Sequence, residues 1–330
     1  MRILVLGGTV YLSKAIARLA HERGHDVTAA ARGTSGGPPD GTRFVPVDRA
    51  AAGGLGTLSD ETFDAVVDVA RLPGFVGPAL DALADRAGHW AFVSTCSVYS
   101  DHETPGQQAA TAAVLDPAPP DSLDAAMERY GANKIACENL VRDRLPDRSF
   151  IVRPGLIVGP DDPNDRFGYW PLRIADGGEV LAPGRPDDLV QYIDVRDLAE
   201  WVLDAAEART TGTHDGISPP ITRSQFLAGI AEALGADADF TWVPQEFLEQ
   251  HGVSPWAGDE SLGLWLPLPE YGGFLSRDPA SALAAGLHIR PLSDTVLHWY
   301  ANRSEPGALM ANLSRAKEAA VLAAWHNRPR

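Results

Sequence analysis

The chain has 330 residues, 45% of them hydrophobic and 22% charged, which supplies one large core or two modest ones and excludes a disordered chain. Its 28 Lys and Arg against 44 Asp and Glu give a formal net charge of −16, a surface that repels phosphate backbones, so no nucleic-acid partner is expected. No apolar run approaches the roughly 18 residues that span a bilayer, the run Ile3-Leu4-Val5-Leu6 is too short for a secretory signal, and two cysteines, Cys96 and Cys137, imply no disulfide framework; a cytoplasmic protein with a small-molecule partner and no membrane partner is expected.

Arg2 to Leu6 reads as a buried parallel strand, a continuous apolar run. Gly7-Gly8-Thr9 turns the chain, and Leu12, Ile16, Leu19 and Ala20 recur at helical spacing as far as Gly24, a residue suited to ending a helix. Strands follow at residues 27–31, 44–47, 65–69 and 91–94, with a helical segment near 78–86 before the last. After a loop rich in Pro, Ala and Gln, a long helix is expected over 123–144 and a strand over 150–152. Beyond Pro154 the rhythm loosens and Trp, Pro and Gly become frequent, the tryptophans reading as core. A strand at 191–193 and a helix at 195–206 return to the first domain. Helices near 224–234 and 293–300 fall in a second domain, and 309–325 reads as an amphipathic helix. The fold class expected is α/β, a doubly wound parallel sheet (Rossmann) with a smaller C-terminal substrate domain. The dinucleotide-binding domain takes residues 1–160 and 189–216, and the substrate domain 161–188 and 217–330.

Three segments carry chemistry. Gly7, Thr9, Val10, Tyr11 and Leu12 lie between the first strand and the first helix, where backbone N–H groups and a helix N-terminus would hold a dinucleotide pyrophosphate; a mere strand-to-helix turn is the plain alternative. Tyr130 and Lys134 stand at i and i+4, on one helical face. An ammonium there favours the phenolate, whose unperturbed pKa is about 10, and a shift to near 7 needs roughly 4 kcal/mol of differential stabilisation. A chance surface Tyr and Lys is the plain alternative. Thr95, Ser97 and Tyr99 follow the fifth strand, and ligands of doubly wound sheets bind beyond the carboxyl ends of strands.

These segments, followed by Arg153-Pro154-Gly155, Gly159-Pro160 and the run from Tyr192-Ile193-Asp194 to Asp197, resemble the extended short-chain dehydrogenase/reductase family in its NAD-dependent epimerase/dehydratase group. The resemblance covers roughly residues 1–215; the last third is similar to a loosely defined actinobacterial-type reductase subgroup. It implies catalytic roles for Thr95, Tyr130 and Lys134. It implies cofactor contacts at Gly7, Thr9, Val10, Tyr11, Leu12, Arg32, Asp48, Val69, Ala70, Arg153 and Leu156. The implied activity is that of an NADP(H)-dependent reductase or dehydrogenase interconverting a carbonyl and an alcohol on a small molecule, secondary metabolism being one setting. A sugar epimerase or dehydratase, and a non-catalytic dinucleotide-sensing relative of the fold, stay open as alternatives. Arg71, Ser97, Tyr99, Tyr169, Trp170 and Arg173 are substrate candidates, because each follows a strand end or opens the second domain. A homo-oligomer is compatible with this reading.

The chain departs from the family's G-x-x-G-x-x-G pattern: Gly7 keeps the first place, while Val10 and Ser13 take the second and third. Val10 puts a branched side chain where backbone approaches phosphate. At the end of the second strand, where an acidic residue would favour NAD, Ala31 is followed by Arg32. That favours NADP(H), with NAD(H) open. Val190 and Gln191 stand where nucleotide-sugar members often carry an Arg, which disfavours a nucleotide-sugar substrate. No metal is expected: His21-Glu22-Arg23-Gly24-His25 matches the HExxH string, but Gly24 interrupts the helix that such a site needs.

Overall fold

The structure, a computed structural model, describes residues 1–51, 53–303 and 311–329. In chain order the elements are β1 (Arg2–Leu6), α1 (Tyr11–Glu22), β2 (Asp26–Ala31), β3 (Arg43–Pro46), β4 (Ala65–Asp68), α2 (Pro73–Leu83), β5 (Trp90–Val93), α3 (Tyr130–Arg144), β6 (Ser149–Pro154) and β7 (Ile157–Val158). Then come α4 (Tyr169–Ala175), β8 (Gly178–Pro183), β9 (Leu189–Val190), β10 (Ile193–Asp194), α5 (Val195–Ala208), β11 (Gly212–Gly216), β12 (Ile221–Thr222), α6 (Arg223–Leu234) and β13 (Ala238–Val243). The last helices are α7 (Gln245–Gln250), α8 (Ala280–Ala284), α9 (Leu292–Asn302) and α10 (Arg315–His326).

Seven strands form one parallel sheet in the order β3-β2-β1-β4-β5-β6-β11. This is the expected doubly wound Rossmann arrangement. Strand order reverses between β1 and β4, and the crevice at their carboxyl ends is where such sheets take ligands. β1, β4 and β5 are unbroken apolar runs because helices cover both faces. On one face Leu12, Ile16, Trp201 and Val202 from α1 and α5 pack on Val5, Val67 and Phe150, joined by Ala282 and Leu287. On the other, Val76, Leu80, Cys137 and Val141 from α2 and α3 pack on Leu4, Val66 and Phe92. Each large side chain so buried contributes about 1.5–3 kcal/mol.

A separate cluster gathers Phe167, Trp170, Trp265, Trp299, Phe226 and Leu322, so these tryptophans are core. Its backbone frame is the parallel pair β8 and β13, in register from Gly178 against Ala238 to Pro183 against Val243. The sequence pattern does not reveal that pair, because its strands lie far apart in the chain.

The helix expected over 123–144 begins only at Tyr130. Leu123 and Met127 are 55% and 66% exposed, so the preceding segment has no apolar face to bury, and Asp124 uses its carboxylate on the Ala126 N–H instead. The strand expected at 191–193 is broken: Gln191 turns its side chain inward, donating to the Ser218 and Arg277 carbonyls. At the chain's end the helix starts at Arg315 rather than at Leu309, which lies outside the described residues. Among the described residues no helix is long and apolar enough to cross a membrane. Gly24 (φ +81) follows the end of α1, and the His25 ring bonds Glu207 at 2.7 Å.

Candidate active site

The turn after β1 is built on two glycines with positive φ, Gly7 (+132) and Gly8 (+82). A Cβ on Gly8 would stand 2.8 Å from that of Ala29, so the turn can press against β2 only without a side chain. α1 opens with neither a side-chain cap nor an acidic residue in its first turn. Its leading N–H groups and the positive end of its dipole are therefore available to an anion. Ser13 fits the third glycine place, buried and donating its hydroxyl to the Val10 carbonyl at 2.8 Å. Val10, at the N-cap, is 38% exposed. Tyr11 takes φ +41, and its hydroxyl is buried without a hydrogen-bond partner. Burial first, then Asp162, Asp194 and Asp165, hold that phenol well above its ordinary value. This turn fits a dinucleotide pyrophosphate on backbone groups.

The neighbouring strand ends hold the catalytic candidates. Lys134 points from α3 into the crevice between β4 and β5, donating through Nζ to the Ala70 carbonyl at 2.7 Å and the Val93 carbonyl at 2.5 Å. Burial lowers its pKa to about 8. Asp68, fully buried at the end of β4, sets the Ala70 peptide: its Oδ1 accepts the Ala70 N–H at 2.9 Å, while Arg49 grips both carboxylate oxygens at 2.8 and 2.9 Å. Thr95 caps the short turn after β5, accepting the Ser97 N–H at 3.1 Å. Gly131 lets the start of α3 lie against that turn, since a Cβ there would meet the Ser97 carbonyl oxygen at 2.2 Å. This packing brings Tyr130 close enough to Thr95 for the threonine side chain to favour the phenolate. Burial raises the Tyr130 pKa, and Thr95, Arg71 and Arg166 oppose that rise. The cations that act on the phenol are thus the two arginines; the Lys134 ammonium is spent on the strand-end carbonyls.

Gly7, Thr9, Val10, Tyr11, Leu12, Val69, Ala70, Thr95, Ser97, Tyr130 and Lys134 therefore cluster around the β1/β4 crevice and the adjoining end of β5. A Cβ on Gly7 would already lie 3.0 Å from Val69 Cγ2. Arg32 and Asp48 are exposed beyond β2 and β3, and Asp48 accepts the Ala50 N–H. Leu156 is buried in the second cluster.

Other candidates are corrected by their surroundings. Tyr99 is 1% exposed and donates to Asp215 at 2.5 Å. Arg153 is ion-paired with Glu138 inside the same buried network, so neither faces the cleft. Tyr169 and Trp170 are packed in the second core, where the Trp170 indole donates to the Gly263 carbonyl. Arg173 is buried against Glu318. Their places on α4 turn all three inward. Two residues that the sequence pattern does not single out bear on the site, Glu138, packed behind it in the buried Arg153 network, and Arg166, which acts on Tyr130 through space. Glu138 continues the Tyr130/Lys134 spacing by one more helical turn, a signal present in the sequence; Arg166 lies on a loop and has none.

Residues 78–217 match the NAD dependent epimerase/dehydratase family. The chain is similar to that family over this stretch. The matched stretch runs from within α2 to just beyond β11 and leaves out the glycine turn, where Val10 and Ser13 depart from the pattern. A human protein, Epimerase family protein SDR39U1, is 25% identical over 262 residues, 72% of this chain and 82% of the relative. A Haloferax volcanii protein named "Probable low-salt glycan biosynthesis reductase Agl14" is 29% identical over 118 residues, 34% of this chain and 39% of its own. The crystal structure of the Thermus thermophilus UDP-glucose 4-epimerase in complex with NAD superposes with a TM-score of 0.61 at 18% identity, covering 91% of this chain and 99% of that one. The fold is thus shared along nearly the whole length.

Proposed function

We propose that this epimerase/dehydratase-family chain is an NADP(H)-dependent reductase or dehydrogenase acting on a carbonyl/alcohol pair of a small molecule. The observation that carries the reading is the convergence of Thr95, Tyr130 and Lys134 at one sheet edge beside an anion-ready helix start. Gly7, Thr9 and the N–H groups opening α1 hold the pyrophosphate, and Lys134, anchored on Ala70 and Val93, borders the nicotinamide ribose. When bound, a nicotinamide held there would supply the hydride for the carbonyl carbon. Tyr130 gives its phenolic proton to the carbonyl oxygen in the reducing direction, and Thr95 orients that oxygen. Residues 161–188 and 217–303 supply the substrate side. Arg32, exposed beyond β2, is free to meet a 2′-phosphate.

A second reading, a sugar epimerase or dehydratase, is favoured by the structural likeness to a UDP-glucose 4-epimerase. Against it, Val190 is fully buried and the Gln191 amide is used up on backbone carbonyls, so neither position presents a group to a substrate diphosphate. Cofactor stoichiometry separates the two. A reductase consumes one NADPH per product formed, read as loss of absorbance alongside product assay. Conversion with no net change of cofactor redox state overturns the reductase reading in favour of the epimerase.

A further inference from the structure

Two guanidinium groups, Arg71 and Arg166, act on the Tyr130 phenol, and neither holds a carboxylate. Arg71, exposed just past β4, places its Cζ 5.0 Å from the Tyr130 ring centroid, and its side-chain hydrogen bond goes to the Met127 sulfur at 3.2 Å. Arg166 stacks on Trp256, with Cζ 4.6 Å from the ring centroid, and its Nε is buried without a hydrogen-bond partner. It lies within electrostatic reach of both Tyr130 and Tyr11. Arg49, Arg153, Arg173 and Arg277 each hold a carboxylate, whereas Arg223, buried without an ion pair among the described residues, donates to the Leu264 carbonyl at 2.9 Å. Among the described residues, Arg71 and Arg166 make no ion pair within 4.0 Å. Asp162 acts on Arg166 through space, but its Oδ1 accepts the Asn164 N–H.

In a chain of net charge −16, Arg166, with its Nε buried and unpartnered, is costly unless something anionic joins it, and the exposed Arg71 stands ready beside the same phenol. An unpaired guanidinium next to low-dielectric walls loses hydration without recovering it. A planar carboxylate or a phosphate matches its donors in pairs. We infer that Arg71 and Arg166 bind an anionic group of the substrate, a carboxylate or phosphate carried close to the carbonyl that Tyr130 serves. The inference rests on the reading of Tyr130 as the proton donor. It narrows the substrate class to anionic carbonyl compounds such as 2-oxo acids, or phosphorylated aldehydes and ketones.

Calorimetric titration of the full chain with oxalate and with inorganic phosphate, with and without NADP⁺, tests the site without requiring turnover. At least one anion binds, and Arg71→Ala and Arg166→Ala each weaken it at least about tenfold, the lower end for a charge-assisted hydrogen bond. Binding of neither anion, or binding unchanged in both variants, overturns the inference. The cofactor's own pyrophosphate is the competing anion. An Arg166→Ala variant that weakens NADPH and NADH by the same factor and leaves oxalate untouched assigns Arg166 to the cofactor and overturns its substrate role. Kinetics with 2-oxo acids against their methyl esters separates the inference from the reading beneath it. Reduction of the ester as fast as the acid overturns the anionic substrate class and leaves the reductase reading standing. Anion binding that depends on both arginines, with no reduction of either compound, supports the site and counts against the reductase reading.

Discussion

Glu138 holds Arg153 with both carboxylate oxygens, at 2.9 Å from Nε and 2.7 Å from Nη2, inside the protein. The pair belongs to a buried chain of groups. Ser94 donates to Glu138 at 2.5 Å, Arg153 donates to the Tyr99 hydroxyl at 3.0 Å, Tyr99 donates to Asp215, and Arg277 closes on Asp215 at 2.9 Å. Glu138 lies one helical turn beyond Lys134, and Ser94 immediately precedes Thr95. The network thereby fastens α3 to the ends of β5, β6 and β11, and with them the geometry of the catalytic candidates.

Removing one member of such a pair leaves the other charge buried and uncompensated, which costs about 3–5 kcal/mol. Glu138→Gln is expected to lose about that much, read as a lower denaturant midpoint at unchanged slope. Arg153 and Ser94 hold the Glu138 carboxyl below its ordinary value of 4.5 despite burial. Its contribution is therefore complete above that ordinary value and is lost as the pH falls through the lower folded one. The gap between wild type and Glu138→Gln should narrow in acid below about pH 4. A gap that stays constant into acid would mean that the ionised carboxylate is not what stabilises the wild type.

Lys134 has the opposite sign. Burial lowers its pKa from 10.5 to about 8 in the folded chain, so the folded state binds this proton less tightly than the unfolded state. The ammonium costs stability below pH 8, and that cost fades as the pH rises from about 8 to 10.5. Compared with Lys134→Met, the wild type should gain stability across this window, checked by denaturation at pH 7.5 and at pH 10. Curves for the two proteins that stay parallel between these values would show that Lys134 titrates as it does in water.

The sheet is legible in the sequence because a parallel strand under two layers of helix must be an unbroken apolar run, as Ile3 to Leu6 and Ala65 to Val67 are. The Tyr130/Lys134 pair is legible because a shared helix face requires that spacing. The role of an arginine is not. Arg153 finds its carboxylate 15 residues away and Arg173 at a separation of 145, and no local pattern distinguishes such arginines from Arg71, which lies over Tyr130, or Arg166, which stacks on Trp256. The start of α3 is hidden for a related reason: side-chain bonds at Asp124 and exposure at Leu123 and Met127 decide it, and helical propensity does not.

Tyr130→Phe keeps the ring against Arg71 and removes the proton. Turnover is expected to fall by at least about 100-fold, the lower range for a lost general acid, with nucleotide affinity unchanged by titration. Near wild-type turnover on a true substrate would remove Tyr130 from the mechanism. A parallel loss of nucleotide binding would show instead that the hydroxyl helps hold the cofactor.

The cofactor pocket gives the last test, because two residues there act on different parts of the nucleotide. Arg32 is exposed beyond β2 and makes no hydrogen bond or ion pair among the described residues. A guanidinium in that position gains about 1.5–3 kcal/mol from a charge-assisted contact with a 2′-phosphate. That is roughly a ten- to hundredfold preference for NADPH over NADH. Val10 stands at the opening of α1, 38% exposed, where the pyrophosphate shared by both nucleotides would approach. Arg32→Ala is therefore expected to weaken NADPH and leave NADH unchanged, whereas Val10→Gly tightens both by the same factor. Direct titration of the three proteins with both nucleotides reads the two effects separately. Equal wild-type affinities, or a preference untouched by Arg32→Ala, would show that the guanidinium points away from the ribose. A Val10→Gly variant with unchanged affinity for both would show that the branched side chain already leaves the phosphate its room.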